Sequence, residues 1–266
     1  MRRSVDQSDL ITRTVAVLRI FAEGARIISI KEIAEELRLP PSSVHRLLDR
    51  LCRLQIVQRA PNRRYRVGTE YFRIGSLVNR KLNILERAKP ILAEVARNSR
   101  ESSQIVLYQP RYRQVMVAAR IEPPTAIHNG VQMYRRLPLA WGAIGHVVMA
   151  WLDDDTVSEA LRISPPSPVT HELPPGPSRI RSQLEEVRQS GYATVSGQLF
   201  SSEAIGIAAP FFDADDEVAG CLCIVAPKRR YGSSGAAELA GDLVSYSKRL
   251  SRTLGSTLAT AESPAR

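Results

Sequence analysis

SIKEIAEELRLPPSSVHRLLDRL, residues Ser29 to Leu51, decides how the first part of the chain folds. Ile30, Ile33, Ala34 and Leu37 recur at i, i+3, i+4 and i+7, the apolar face of a helix. Ser29 and Glu32 have the spacing of a capping box, and Ile28 and Ile33 that of a hydrophobic staple. Leu39-Pro40-Pro41 stops this helix, because a proline pushes its predecessor out of the helical region. Pro41 can itself open the next helix, where its missing N–H loses nothing. Val44, Leu47, Leu48, Leu51 and Leu54 then form a second apolar stripe. Two short helices joined by a tight turn make a helix-turn-helix.

The other face of the second helix is polar and basic: Ser42, Ser43, Arg46, Asp49 and Arg50, with His45 on its flank. Short hydroxyls at a helix start suit phosphate oxygens, which the free N–H groups also attract. An arginine one turn in can reach a guanine edge bidentately in a major groove. The plainer alternative is a pair of core helices with a solvated face. IVQRAPNRRYRVG, Ile56 to Gly68, weighs against it. It reads as a hairpin turning at Pro61-Asn62, with Tyr65 and Val67 alternating with Arg64 and Arg66. Charge also guards edge strands, but Arg59, Arg63, Arg64 and Arg66 exceed that need. A basic hairpin after such a helix is a wing that grips phosphates.

Charge is distributed to match. Of the chain's 37 Lys+Arg and 27 Asp+Glu, residues 1–87 hold 18 and 9, and the other 179 residues hold 19 and 18. A basic first third joined to a near-neutral remainder is the footprint of a nucleic-acid-binding domain coupled to a domain with another task. The length suits two modest domains. No apolar run reaches the ~20 residues of a membrane span, so no membrane partner is expected. The first residues lack the apolar segment of a signal peptide. Three cysteines, Cys52, Cys221 and Cys223, do not make a disulfide framework, and a reducing cytoplasm is the expected setting.

Further along, a helix is expected from about Leu10 to Glu23, with Ile11, Val15, Leu18 and Phe21 or Ala22 packing on the helix-turn-helix. A helical stretch from Glu70 to Asn98, interrupted at Pro90, carries the stripe Tyr71, Ile74, Leu77 and Val78, which needs a partner. From Ser102 strands dominate: a hairpin about Pro110–Arg113, a third segment Ala126–Met133, and later YATVSGQ, EAIGIAAPFF and VAGCLCIVA. Helices are expected at Trp141–Leu152, Asp153–Ile163, Arg179–Gln189 and Ser234–Thr257. The proline-rich Ser164–Ser178 reads as a loop within one domain. Antiparallel strands with helices before, between and after them predict an α+β fold.

Enzymatic chemistry has little support. His128, His146 and His171 are scattered, and no metal or cofactor is expected. Cys221 and Cys223 share one face of an apolar strand, where free thiols behave as small hydrophobes. No nucleophile elbow or phosphate loop appears, so the chain is not read as an enzyme.

The motifs LRLPPSSVHRLLDRL, RRYRVG, RRLPLAWGAIGHVVMAWL and AAPFFDADDEVAG, in this order, resemble the IclR family of bacterial transcriptional regulators. The likeness runs from about Ser8 to Leu258. It implies a winged helix-turn-helix over residues 8–69, a linker helix over 70–87, and a GAF-like effector-binding domain over 88–258. It implies a homodimer, or a tetramer, on a double-stranded DNA operator, with a small-molecule effector. Ser42, Ser43, His45, Arg46 and Arg50, with Arg63, Arg64 and Arg66 of the wing, are the expected DNA contacts. By position, the effector set is Trp141, Gly142, Ala143, Val195, Ser196, Gly206, Cys223 and Val225. The family often has polar or acidic residues near Val195, a cysteine near Gly206, serines near Cys223 and Val225, and His and Lys where Ala140 and His146 stand here. Losing those hydroxyls points to an effector larger and more apolar than a two- or three-carbon acid. The alternative is a ligand-independent DNA-binding protein whose second domain only oligomerises.

Overall fold

The computed structural model describes residues 9–23, 27–81, 83–123, 132–231 and 233–258. It divides into two compact units, Met1–Leu82 and Asn83–Arg266. The division falls inside the stretch read as a linker.

The first unit runs α1 (Leu10–Glu23), β1 (Ile28–Ser29), α2 (Ile30–Leu37), α3 (Pro41–Arg53), β2 (Val57–Ala60), β3 (Arg64–Val67) and α4 (Thr69–Lys81). Its sheet has the antiparallel order β1-β3-β2. The core is built as the periodicity requires: Ile33 and Ala34 of α2 meet Val44, Leu47, Leu48 and Leu51 of α3, closed by Val57 and Tyr65. Leu54, expected in that stripe, is exposed, because α3 ends at Arg53. The hairpin turn also differs. Asn62 and Arg63 both have positive φ, and Arg64 N–H donates to the Pro61 carbonyl. The central pair is therefore Asn62-Arg63, the double left-handed geometry that suits strand twist.

Helix α1 corrects a second expectation. It buries Val17, Ile20 and Phe21, while Leu10, Ile11 and Val15 face outward, Ile11 at 73% exposure. On α4, Phe72, Ile74 and Leu77 are exposed as well, Phe72 at 75%.

The second unit runs α5 (Asn83–Ser99), β4 (Ser102–Gln109), a 3-10 turn (Pro110–Tyr112), β5 (Gln114–Ile121), β6 (Arg136–Pro138), α6 (Gly142–Met149), α7 (Asp154–Ile163), α8 (Pro177–Ser190), β7 (Ala193–Ser196), β8 (Ala204–Phe212), β9 (Val218–Pro227) and α9 (Ser233–Leu254). Pro90 does not interrupt α5, which passes through it. The expected strand Ala126–Met133 lies mostly outside the described residues; the strand beside β5 is Arg136–Pro138.

Six antiparallel strands form one sheet, in the order β6-β5-β4-β9-β8-β7. One face is covered by α5 and α9, around Leu92, Phe211 and Leu222, and the other by α6, α7 and α8, around Ile144, Val147 and Leu184. Covered on both sides, β8 and β9 read as continuous apolar runs, not alternating ones. Gly145 lets the turn before α6 fold back against the helix: a Cβ there would stand 1.9 Å from the Leu139 carbonyl oxygen. No helix among the described residues is long and apolar enough to cross a membrane.

Candidate nucleic-acid interface and effector cavity

The capping box of α2 is complete. Ser29 Oγ accepts from Glu32 N–H at 3.3 Å, and Ser29 N–H donates to Glu32 Oε2 at 2.7 Å. The same Glu32 carboxylate receives Arg64 Nη2 at 2.9 and 3.0 Å from β3. The Ser29 bonds first, and Arg64 after them, pull the Glu32 carboxyl down to about 2. Arg38 closes α2 in the left-handed conformation, and Pro40 and Pro41 start α3. Ser43 and Val44 N–H groups close that first turn on the Pro40 carbonyl, at 2.9 and 3.2 Å.

Burying Val44, Leu47, Leu48 and Leu51 turns Ser42, His45, Arg46 and Arg50 to solvent, with Ser43 half-buried. Asp49 is held by Arg59 Nη2 at 2.7 Å, which offsets its negative charge on this face. On the wing, Arg63 stands at the tip and Arg66 on the open side of β3, both exposed. Arg64, expected as a third wing contact, is half-buried and pairs with Glu32, which braces β3 against the start of α2. The alternation read from sequence holds at Tyr65, which is buried, and fails at Val67, which is exposed; sequence also could not show which arginine had an acid in reach.

In the second unit, register brings part of the expected effector set together. Val225 of β9 pairs with Gly206 of β8, and Gly206 with Val195 of β7, so the three form one row on the α6 face. Cys223 lies in the next row on that face. A Cβ added to Gly206 would lie 3.6 Å from Ala143 Cβ and 3.7 Å from Phe200 Cε2. Gly142 opens α6 at φ +74°, and a Cβ added there would stand 3.0 Å from Leu199. Ser196 does not join the row. It pairs with Ile205, which belongs to the opposite core, and strand alternation puts it on that other face. Trp141 also lies outside the row, its Nε1 donating to the Pro165 carbonyl at 2.8 Å, and it lines a neighbouring hollow.

The hollow among Gly142, Ala143, Val195 and Gly206 is almost filled by Leu199 and Phe200. Its volume is about 10 Å³, room for one water at most. Two larger hollows open beside it, of about 260 and 480 Å³, and His146, Gln183 and Gln198 line both. Cys221 and Cys223 are fully buried free thiols. Burial raises both, Cys223 to about 12. They are packing residues, as their apolar strand suggested.

Two polar groups, Gln104 and Gln198, escaped sequence reasoning, and a third, His146, was noted without a role. Gln104 of β4, opposite Cys223, is fully buried on the α6 face, with neither amide atom partnered. His146 is buried, and its Nε2 has no partner. Gln198 reaches Gly142 N–H through Oε1 at 3.4 Å. A glutamine inside SSQIVLYQ and a histidine inside GAIGHVVM were the available signals. Among the described residues no cluster of His, Cys, Asp and Glu could hold a metal.

These features agree with the relatives of the chain. Residues 10–61 match the IclR helix-turn-helix domain. Residues 77–252 match the bacterial transcriptional regulator IclR C-terminal domain. The transcriptional regulator KipR of Bacillus subtilis is 21% identical over 252 residues, covering 95% of this chain and 99% of that protein. A crystal structure of an IclR-type regulator from Silicibacter sp. TM1040 superposes with a TM-score of 0.79 at 23% identity, over 96% of this chain and 98% of that one. An IclR homologue from Microbacterium hydrocarbonoxydans, solved in complex with 4-hydroxybenzoate, gives 0.77 at 22% identity, over 92% and 100%. With both of its units matched in this order, the chain belongs to the IclR family of bacterial transcriptional regulators.

Proposed function

We propose that this regulator binds a pseudo-palindromic operator as a dimer and changes its grip when a small, fairly apolar effector enters the second unit. The observation that carries the DNA half is the exposed face of α3 beside the arginines of the wing. Ser42, Ser43, His45, Arg46 and Arg50 are assigned to bases and phosphates in a major groove, and Arg63 and Arg66 to phosphates beyond it. Arg64 contributes mainly by holding the wing in place.

Pairing of two copies is supported by apolar side chains left outward on the first unit: Leu10, Ile11 and Val15 of α1, and Phe72, Ile74 and Leu77 of α4. A two-fold protein matches two half-sites on DNA. The cytoplasm is the compartment assigned, and no catalysis is.

For the effector half, the support is the row Val195, Gly206 and Val225 facing Ala143, which carries no polar side chain, and the hollows beside it. The 4-hydroxybenzoate complex of the homologue supports a small organic molecule as the class. An effector shifts operator affinity only by as much as it prefers one conformation over the other. Screening small aromatic and aliphatic acids and alcohols for release of the operator complex tests this. Release by at least one compound is expected. If nothing in the panel affects the complex or the melting temperature, the effector reading fails and the second unit serves assembly alone.

A further inference from the structure

Helix α6 is apolar and small along its length except for His146, which is 6% exposed. The imidazole is hydrogen-bonded to the Ala140 carbonyl, and Nε2 is buried without a partner. A ring whose N–H is given to a carbonyl presents a lone pair at its other nitrogen. Burial disfavours the charged ring and holds its pKa below the ordinary histidine value. The buried nitrogen is therefore an acceptor awaiting a donor. Leaving such a group unpaired costs its full desolvation.

Space lies beside the ring, and a donor would reach Nε2 by a small shift of its cover. The hollows of about 260 and 480 Å³ meet at His146, Gln183 and Gln198. Trp141 and Arg179 wall the smaller, Thr194 and Val195 the larger. Gln198 Oε1 faces the first N–H of α6, and its backbone carbonyl is fixed by Ser167 Oγ at 2.7 Å.

We propose that the cleft between α6, α8 and β7 binds an uncharged small molecule through a hydroxyl that donates to His146 Nε2, with the Gln183 and Gln198 amides at its rim. This rests on the reading that the second unit takes a small effector, and it places the polar anchor at a position where this chain departs from the family and outside the eight expected effector residues. A hydroxyl suits the site better than an anion, because the acceptor lone pair would repel a carboxylate while the ring stays neutral.

The test uses the full chain, phenol, and anisole, which has the same ring with the donor hydrogen replaced by methyl. Calorimetry on wild type should show phenol binding at least tenfold more tightly than anisole. His146→Phe should abolish that preference, and His146→Gln, which retains an acceptor, should keep part of it. Melting curves of each variant report whether it is folded, and the wild-type comparison does not depend on any variant. Equal binding of both rings, unchanged in His146→Phe, would overturn the role of His146 while leaving the effector reading standing. No heat with phenol would overturn the assignment of the cleft, and the operator-release screen would still judge the effector reading by itself.

Discussion

The wing arginines should separate in a salt titration, because only Arg64 carries an internal ion pair with Glu32. Each phosphate contact on duplex DNA contributes about 0.9 to the slope of log K against log salt. Arg63→Ala and Arg66→Ala should therefore each lower that slope by about 0.9 per wing, or about 1.8 for a dimer. Between roughly 50 and 200 mM salt, 1.8 amounts to about a twelvefold difference in how steeply affinity falls. Arg64→Ala should move the slope by clearly less, since its guanidinium is spent on Glu32 at 2.9 and 3.0 Å. Its loss should show instead in the melting of the first unit, because β3 is then held to the start of α2 by its backbone pairing with β1 alone. The assay is a fluorescence-anisotropy titration of operator DNA at four or more salt concentrations, with each variant's melting curve beside it. Equal slope changes for all three variants would refute the division of roles. So would an Arg64→Ala protein with wild-type melting.

Other consequences can be checked separately. Ser29→Ala removes the side-chain acceptor of the α2 cap and should cost about 1 kcal/mol in a denaturant titration. Glu32 titrates near 2 in the folded chain against an ordinary 4.5, so its stabilising contribution is complete above about 4.5 and fades as pH falls toward 2. The stability gap between wild type and Glu32→Gln, followed by circular dichroism, should accordingly close on acidification. Gly145→Ala drives a Cβ to 1.9 Å from the Leu139 carbonyl oxygen and should destabilise the second unit by 3 kcal/mol or so, seen as faster amide exchange in α6 with the first unit unchanged. Gln104→Leu replaces a buried, unpartnered amide and should raise melting stability by about 1–3 kcal/mol if nothing else moves.

Local rules made the first unit legible. A capping box, two prolines and a 3.6-residue period specify α2, the turn and α3 within a residue or two, because they act over four to seven positions. The face of α1 was half right for the same reason: Leu18 and Phe21 do pack on the core. Ile11 and Val15 repeat at helical spacing, but so do Val17, Ile20 and Phe21, and only the partners in the core decide which stripe is buried. Pro90 reads as a break in sequence, yet α5 carries it through. The effector region depended on longer reach. Which strands neighbour one another, and so the row Val195, Gly206 and Val225, follows from a sheet order that periodicity cannot supply. The filling of that hollow by Leu199 and Phe200, and the lone pair at His146, depend on packing between segments some fifty residues apart.

The most direct measurement is a titration of the purified protein against its own promoter region and against scrambled DNA of equal length and composition, at two salt concentrations. The account predicts binding to the promoter about 10³-fold or more tighter than to the scrambled duplex at physiological salt, with Arg46→Ala giving up about 1–3 kcal/mol of that preference. Equal affinity for both duplexes across a panel of adjoining promoters, vanishing together as salt rises, would contradict the claim that α3 reads a sequence.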